Sequence, residues 1–203
     1  MVTKNLIKYS KTVLKDGLRI ISENIPSARS ISIGVWVDVG SRDELKSENG
    51  ISHFIEHMMF KGTGRRSAKK IASSLESLGG NINAFTSREQ TCYMAVILDE
   101  HLEQAVDVLS DIMMNSTLTP KNIDREKSVV TEEIHEVLEN PSDLVHEHFT
   151  ENFWSNQPLG RSILGTEDTV RSFERKDIKA YMKKSYLSGR VVIAAAGDRK
   201  SVV

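Results

Sequence analysis

One cysteine, Cys92, stands among the 203 residues, which excludes an intrachain disulfide framework and a thiolate-rich zinc site. No apolar run approaches the roughly 20 residues that a membrane-spanning helix needs. The chain also lacks a charge excess, with 27 Lys and Arg against 28 Asp and Glu and a net charge of −1. No global basic field is therefore present to hold nucleic acid or an anionic membrane, and neither is expected as a partner. With 4 prolines and 12 glycines there is no Pro- or Gly-rich linker, no low-complexity segment and no short-period repeat. Residues 1–18 alternate polar and apolar side chains, with neither an apolar signal core nor an Arg-rich transit pattern. What remains is a soluble chain, 39% hydrophobic, expected as one domain over residues 1–203 in a reducing compartment.

The first segments carry the period of strands. Leu18–Glu23 mixes β-branched and polar residues after the turn pair Asp16-Gly17, and Ser30–Val39 places Ile31, Ile33, Val35, Val37 and Val39 on one face. From Gly50 to Phe60 the period changes. Ile51, Phe54, Ile55, Met58 and Met59 fall at i, i+3, i+4, i+7 and i+8, the stripe of an amphipathic helix. A second helix is expected over Ala68–Leu78 with Ser67 as its N-cap and Gly79-Gly80 at its end. Asn81–Thr86 and Thr91–Leu98 predict a hairpin. Helices are expected from a cap at Asp99 to Met114, from Thr119-Pro120 to Glu139, from Asn140-Pro141 to Phe153, and near Lys176–Ser185. Arg190–Ala196 reads as a closing, buried strand. The order predicts an α+β fold, a largely antiparallel sheet with helices packed on one face. The chain stops at Ser201-Val202-Val203, soon after that strand, which reads as a domain boundary inside a longer protein.

The chemistry concentrates in His53-Phe54-Ile55-Glu56-His57. On a helix, His53 and His57 lie one turn apart on one face and can share a metal ion, and Glu56 lies on the same side. A catalytic zinc needs three protein ligands and an open position for water, whose pKa it lowers to about 7. Two imidazoles and a base are present, and the five residues leave the third ligand open. Lys121–Glu151 carries 3 basic and 9 acidic residues, which reads first as a solvated acidic face. Within it Glu126, Val130, Glu133 and Val137 share one helical face, and Glu136 lies one turn beyond Glu133. The spacing of His135, His146 and His148 picks out none of them. Phe54, Met58, Met59 and Cys92 read as core.

Gly50-Ile51-Ser52-His53-Phe54-Ile55-Glu56-His57-Met58-Met59-Phe60-Lys61-Gly62-Thr63 resembles the active-site helix of the inverted-motif zinc peptidases, the family of pitrilysin, insulin-degrading enzyme and the mitochondrial processing peptidases. Four further segments agree in order: Val37 to Glu44, Asn81 to Ser87, Glu126 to Glu133, and Pro158-Leu159-Gly160. The likeness is greatest to the bacterial and mitochondrial processing branch.

That resemblance implies a zinc endopeptidase in which His53, His57 and Glu133 hold Zn²⁺ and Glu56 is the general base. Glu126 is implied as a second catalytic-site carboxylate that supports the metal, with Glu136 the rival ligand to Glu133. It implies that Asn83 and Ala84 belong to an edge strand on which a peptide substrate adds as a further strand. It also implies one half of a two-half clamshell, with the homologous second half absent from this chain. Expected partners are therefore a peptide and a second half or subunit, or self-association through the open face. The expected compartment is the bacterial cytoplasm, with the mitochondrial matrix as alternative. Competing readings are a non-catalytic, substrate-presenting subunit, a half that needs its partner for activity, a zinc hydrolase of small substrates, and a metal-binding regulatory domain.

Overall fold

A computed structural model describes residues 9–198. The expectation for residues 201–203, and the start of the 1–18 alternation, lie outside the described residues. In chain order the elements are β1 (Tyr9–Val13), β2 (Arg19–Asn24), β3 (Ser30–Val37), α1 (Ile51–Met59), α2 (Ala68–Glu76), β4 (Asn81–Thr86), β5 (Thr91–Leu98), α3 (Leu102–Asn115), α4 (Pro120–Glu139), α5 (Pro141–Phe153), α6 (Glu167–Ser172), α7 (Arg175–Ser185) and β6 (Val191–Gly197). The strands form one sheet in the order β1-β2-β6-β3-β5-β4. All neighbours are antiparallel except β2 and β6, which run parallel.

Alternation along β3 explains how the sheet buries one face. Ile31, Ile33, Val35 and Val37 are all under 9% exposed, and Val39 stays buried just beyond the strand. Register aligns Val35 with Tyr93 of β5 and Tyr93 with Ala84 of β4, so these side chains share the covered face. Against it pack Ile51, Phe54, Ile55, Met58 and Met59 of α1, Leu75 of α2, Ile112 of α3, Val130 of α4 and Ile178 of α7, in one continuous apolar cluster. On the other face Trp36 meets Phe85 edge-on, with ring centroids 5.6 Å apart. Cys92 is fully buried and free, and burial pushes its thiol up to about 11. It is a small core residue.

Several expectations need correction. The sequence pattern predicts no strand before Leu18, yet β1 pairs with β2. All five of its side chains are exposed, so the alternation there marks no buried face. Helix α6 is also unexpected; it is six residues long and buries only Val170. Asp99 does not cap α3. It begins a separate 3-10 turn and pairs with Arg29 at 3.4 Å, and α3 starts at Leu102. β6 lies in the middle of the sheet, but its residues before Gly197 are only half-buried, with Val191, Ile193 and Ala195 packed against the core.

Other boundaries follow their chemistry. Ser67, Thr119 and Asn140 each accept a backbone N–H from the first turn of α2, α4 and α5. The loop leaving α1 is tied to α3 through buried Asp111, which accepts from Thr63 Oγ1 at 2.8 Å, Asn115 Nδ2 at 2.9 Å and Arg66 Nη1 at 2.5 Å. Burial opposes the Asp111 charge, but the donors from Thr63, Asn115, Arg66 and Arg65 outweigh it and hold the carboxyl well below its usual range.

A group depressed in the folded state stabilises the fold above its unfolded pKa of about 4, and that contribution is lost as pH falls through the folded value. Asp111→Ala should therefore cost about 3 kcal/mol at neutral pH and flatten the acid limb of the stability curve. Urea unfolding between neutral and acid pH measures both. An unchanged acid slope would refute the assignment.

Candidate metal centre

The apolar stripe of α1 faces the sheet, so the opposite side of the helix must carry His53, Glu56 and His57. The buried residues Ile51, Phe54, Ile55, Met58 and Met59 are at most 1% exposed, and the three polar residues are half-buried. Helix α4 packs beside α1 and presents Glu133 to the same space. His57 Nε2 lies 3.5 Å from Glu133 Oε2 and His53 Nε2 lies 3.7 Å from the same oxygen. The two imidazoles meet edge-on, with centroids 4.6 Å apart. One ligand atom from each of His53, His57 and Glu133 falls within 4.8 Å of the others, and the three form the one such group among the described residues.

Glu126 lies behind His57 rather than beside the three converging atoms. Its carboxylate, 1% exposed, approaches His57 Nδ1 at 3.3 Å and Lys61 Nζ at 2.9 Å through the same oxygen. Glu136 is exposed one turn beyond Glu133, as are Glu132 and Glu139 on their own sides of α4. His135 pairs with Glu167, and His146 and His148 are exposed on α5.

Electrostatics differ between neighbouring groups. Burial, with the adjacent His57 ring, pushes His53 down to about 4. Burial also opposes charge on His57, but the hydrogen bond to Glu126 and the fields of Glu133 and Glu56 prevail and raise it. Glu56 is raised mainly by burial and is partly offset by Thr86, whose hydroxyl donates to Glu56 Oε2 at 2.5 Å. Glu126 is lowered, because its contacts with His57 and Lys61 outweigh its burial.

Thr86 ends β4, the outermost strand on that side of the sheet. Ala84 shares its covered face, and Asn83 is exposed on the other. The Asn83 side chain turns back so that Oδ1 accepts the Ala84 N–H at 2.9 Å.

Three residues with work at this site went unnoticed in the sequence, although each lies inside a quoted segment. They are Lys61, Thr86 and Glu44. Glu44 is 3% exposed and caps the first turn of α1, accepting from Gly50 N–H at 2.8 Å, Ser52 N–H at 2.9 Å and Asn49 Nδ2 at 3.1 Å. Burial outweighs these donors and raises its pKa. Gly50 takes φ +92°, and a Cβ there would lie 2.4 Å from the Leu164 carbonyl oxygen, so the chain enters α1 through a position only glycine fits. Asn49 Nδ2 also donates to Ser162 O at 2.9 Å, and Arg161 Nη2 to Glu44 O at 2.8 Å. The 158–165 loop thus braces the helix. No short-range pattern reveals such a cap, because its acceptor lies six and eight residues from its backbone donors.

The site thus joins two helical histidines, a carboxylate from a second helix and a further carboxylate on the histidine helix, all on a one-sided α+β sheet. The chain belongs to the family described as Insulinase (Peptidase family M16), whose sequence profile matches residues 19–167. It is 48% identical over 184 residues to the uncharacterized zinc protease YmxG of Bacillus subtilis, covering 91% of this chain and 45% of that protein. It is 45% identical over 189 residues to a probable mitochondrial-processing peptidase subunit beta of Arabidopsis thaliana, covering 93% and 36%. A protease from Helicobacter pylori superposes with a TM-score of 0.90 at 26% identity, over 96% of this chain and 47% of that one. The chain thus spans less than half the length of these relatives. Among the described residues no helix is long and apolar enough to cross a membrane.

Glu44→Ala should leave two backbone N–H groups and the Asn49 amide without their buried acceptor, at about 3 kcal/mol or more in total. Chemical denaturation checks this, and a change below about 1 kcal/mol would show that water replaces the cap.

Proposed function

We propose that this chain is the zinc-binding half of an endopeptidase that cleaves extended peptides. The convergence of His53 Nε2, His57 Nε2 and Glu133 Oε2 carries the reading. Donor atoms around a tetrahedral zinc at its usual bond lengths sit about 3.3–3.6 Å apart; the observed 3.5 Å falls within that edge and 3.7 Å lies just beyond it. Two imidazoles and one carboxylate also suit zinc and leave its fourth position open. Zinc held by these three residues would supply Lewis acidity, polarising a carbonyl and making water acidic near neutral pH.

The chain's own residues supply the rest. Glu56 takes the proton of the attacking water and delivers one to the leaving amine. Thr86 fixes Oε2 of that carboxylate and leaves Oε1 to exchange the proton. Glu126 accepts from His57 Nδ1, so that Nε2 faces Glu133. The peptide adds along the open edge of β4 at Asn83 and Ala84, its backbone pairing supplying affinity with little regard to sequence. Asn83 must then release the Ala84 N–H.

The relatives' extra length supports a homologous second half that completes the substrate channel, so turnover is proposed for an assembly of the two. A non-catalytic subunit is less well supported, because all three metal-facing residues and Glu56 are present together. The relatives include bacterial proteins and a plant mitochondrial one; the bacterial cytoplasm is the compartment proposed, with the mitochondrial matrix as alternative.

Elemental analysis should find one zinc per chain, lost by orders of magnitude in His57→Ala and Glu133→Gln and kept in Glu136→Gln. Full stoichiometry in His57→Ala, or loss on changing Glu136 alone, would defeat the ligand set. Glu56→Gln should keep its zinc and lower peptide cleavage by the two-half assembly about 10²–10⁴-fold. Cleavage at the parental rate with zinc bound would remove Glu56 from the base role.

A further inference from the structure

We propose that Lys61 is a positioning residue for the metal site, acting through Glu126 on His57. The inference rests on the zinc reading above. Glu126 is 1% exposed, and its Oε2 faces Lys61 Nζ at 2.9 Å and His57 Nδ1 at 3.3 Å. A carboxylate so deeply buried needs a charged partner and donors to offset lost hydration. Among the described residues Lys61 is the one cation of fixed charge in contact with it.

Its placement is well defined at both ends of the residue. The Lys61 N–H donates to Met58 O at 3.2 Å, closing the last turn of α1. The Lys61 carbonyl accepts from Asn122 Nδ2 at 2.9 Å, one helical turn before Glu126 on α4. Next along the chain, Gly62 O accepts from both the N–H and the hydroxyl of Thr117. Backbone and ammonium thus grip α4 at consecutive turns, and Lys61 joins the helix bearing the two histidines to the helix bearing Glu133. Its side chain, 32% exposed, leaves room for substitution without a cavity.

The consequence falls on His57. With Glu126 Oε2 fixed behind it, the ring donates from Nδ1 and keeps the Nε2 lone pair toward Glu133. Without Lys61 the carboxylate loses the contact that orients it and can turn away from Nδ1. Direct electrostatics act in the opposite sense, because an ammonium this near opposes binding of a dication. Charge removal alone therefore tightens zinc, and a loss of affinity on removing Lys61 reports positioning.

Zinc dissociation constants from chelator competition test this in the parent chain, Lys61→Met, Lys61→Arg, Glu126→Gln and the Lys61→Met/Glu126→Gln double variant. Lys61→Met should weaken zinc about tenfold, the lower end for groups that orient a metal ligand. Lys61→Arg should recover most of the loss, and the double variant should bind no more weakly than Glu126→Gln alone. Unchanged or tighter binding in Lys61→Met, with only the melting temperature of the metal-free chain lowered, would overturn the proposal. Additive losses in the double variant would also overturn it.

Nitrogen-15 shifts of the His57 ring in the metal-free chain at alkaline pH give an independent answer. A single Nδ1–H tautomer should become a mixture in Lys61→Met, and an unchanged tautomer overturns the proposal. Failure of the parent chain to bind zinc would refute the zinc reading, and the ring shifts would still decide the role of Lys61.

Discussion

Helix α1 is held between two demands that only its amphipathic period reconciles. Its apolar side fills the centre of the core against β4 and β5, with Phe54, Ile55 and Met59 wholly buried. Its other side must carry groups that would be costly anywhere in that core: two imidazoles and a carboxylate. Because 3.6 residues make a turn, fixing the apolar stripe also fixes the direction of His53, Glu56 and His57. The Glu44 cap, the Gly50 entry and the Asp111 network hold the two ends of this short helix. A nine-residue helix has little stability of its own, so these tertiary contacts set where the histidines point.

The polar side of α1 is an electrostatic arrangement with graded roles. Glu133 reaches both histidines, Glu126 touches one from behind, and Glu56 touches neither and is held by Thr86. Three carboxylates around two imidazoles make a local excess of negative charge that favours a cation. The same burial that lowers the pKa of His53 to about 4 keeps its ring neutral, the form that donates a lone pair to a metal. Glu126 escapes the cost of burial only through its contacts with Lys61 and His57. Glu126, set behind His57, is thus more deeply buried than Glu133, which faces both rings.

The parts of this arrangement legible in the sequence are those with a period. The α1 stripe, the β3 alternation and the i, i+4 histidines follow from local geometry and stand where the sequence puts them. Glu133 was distinguished from Glu136 by resemblance, since both lie on one helix a turn apart; the structure separates them through the packing of α4 on α1, which no local pattern encodes. Glu44, Thr86 and Lys61 escaped for the same reason, because each acts on a group 5 to 65 residues away. Strand β1 escaped because it buries nothing, and α6 because it is a single short turn and a half. Parallel pairing of β2 with β6 joins strands from opposite ends of the described chain and has no signature in either.

The division of labour between this half and a second one follows from the sheet. All three residues of the candidate metal site come from α1 and α4, which pack on each other within one apolar core, so that group needs nothing from outside. β4 is different. It is bonded on one side to β5, its other side is the edge of the sheet, and Thr86 at its end holds Glu56. A peptide added along that edge would gain backbone pairing but meet no opposing wall among the described residues. On the proposed function, affinity for an extended chain and the metal chemistry belong to this half, whereas orientation of the scissile bond requires a surface facing it. Positioning of that kind can supply several kcal/mol of a barrier. The long relatives, more than twice the span matched here, have the chain length to provide it.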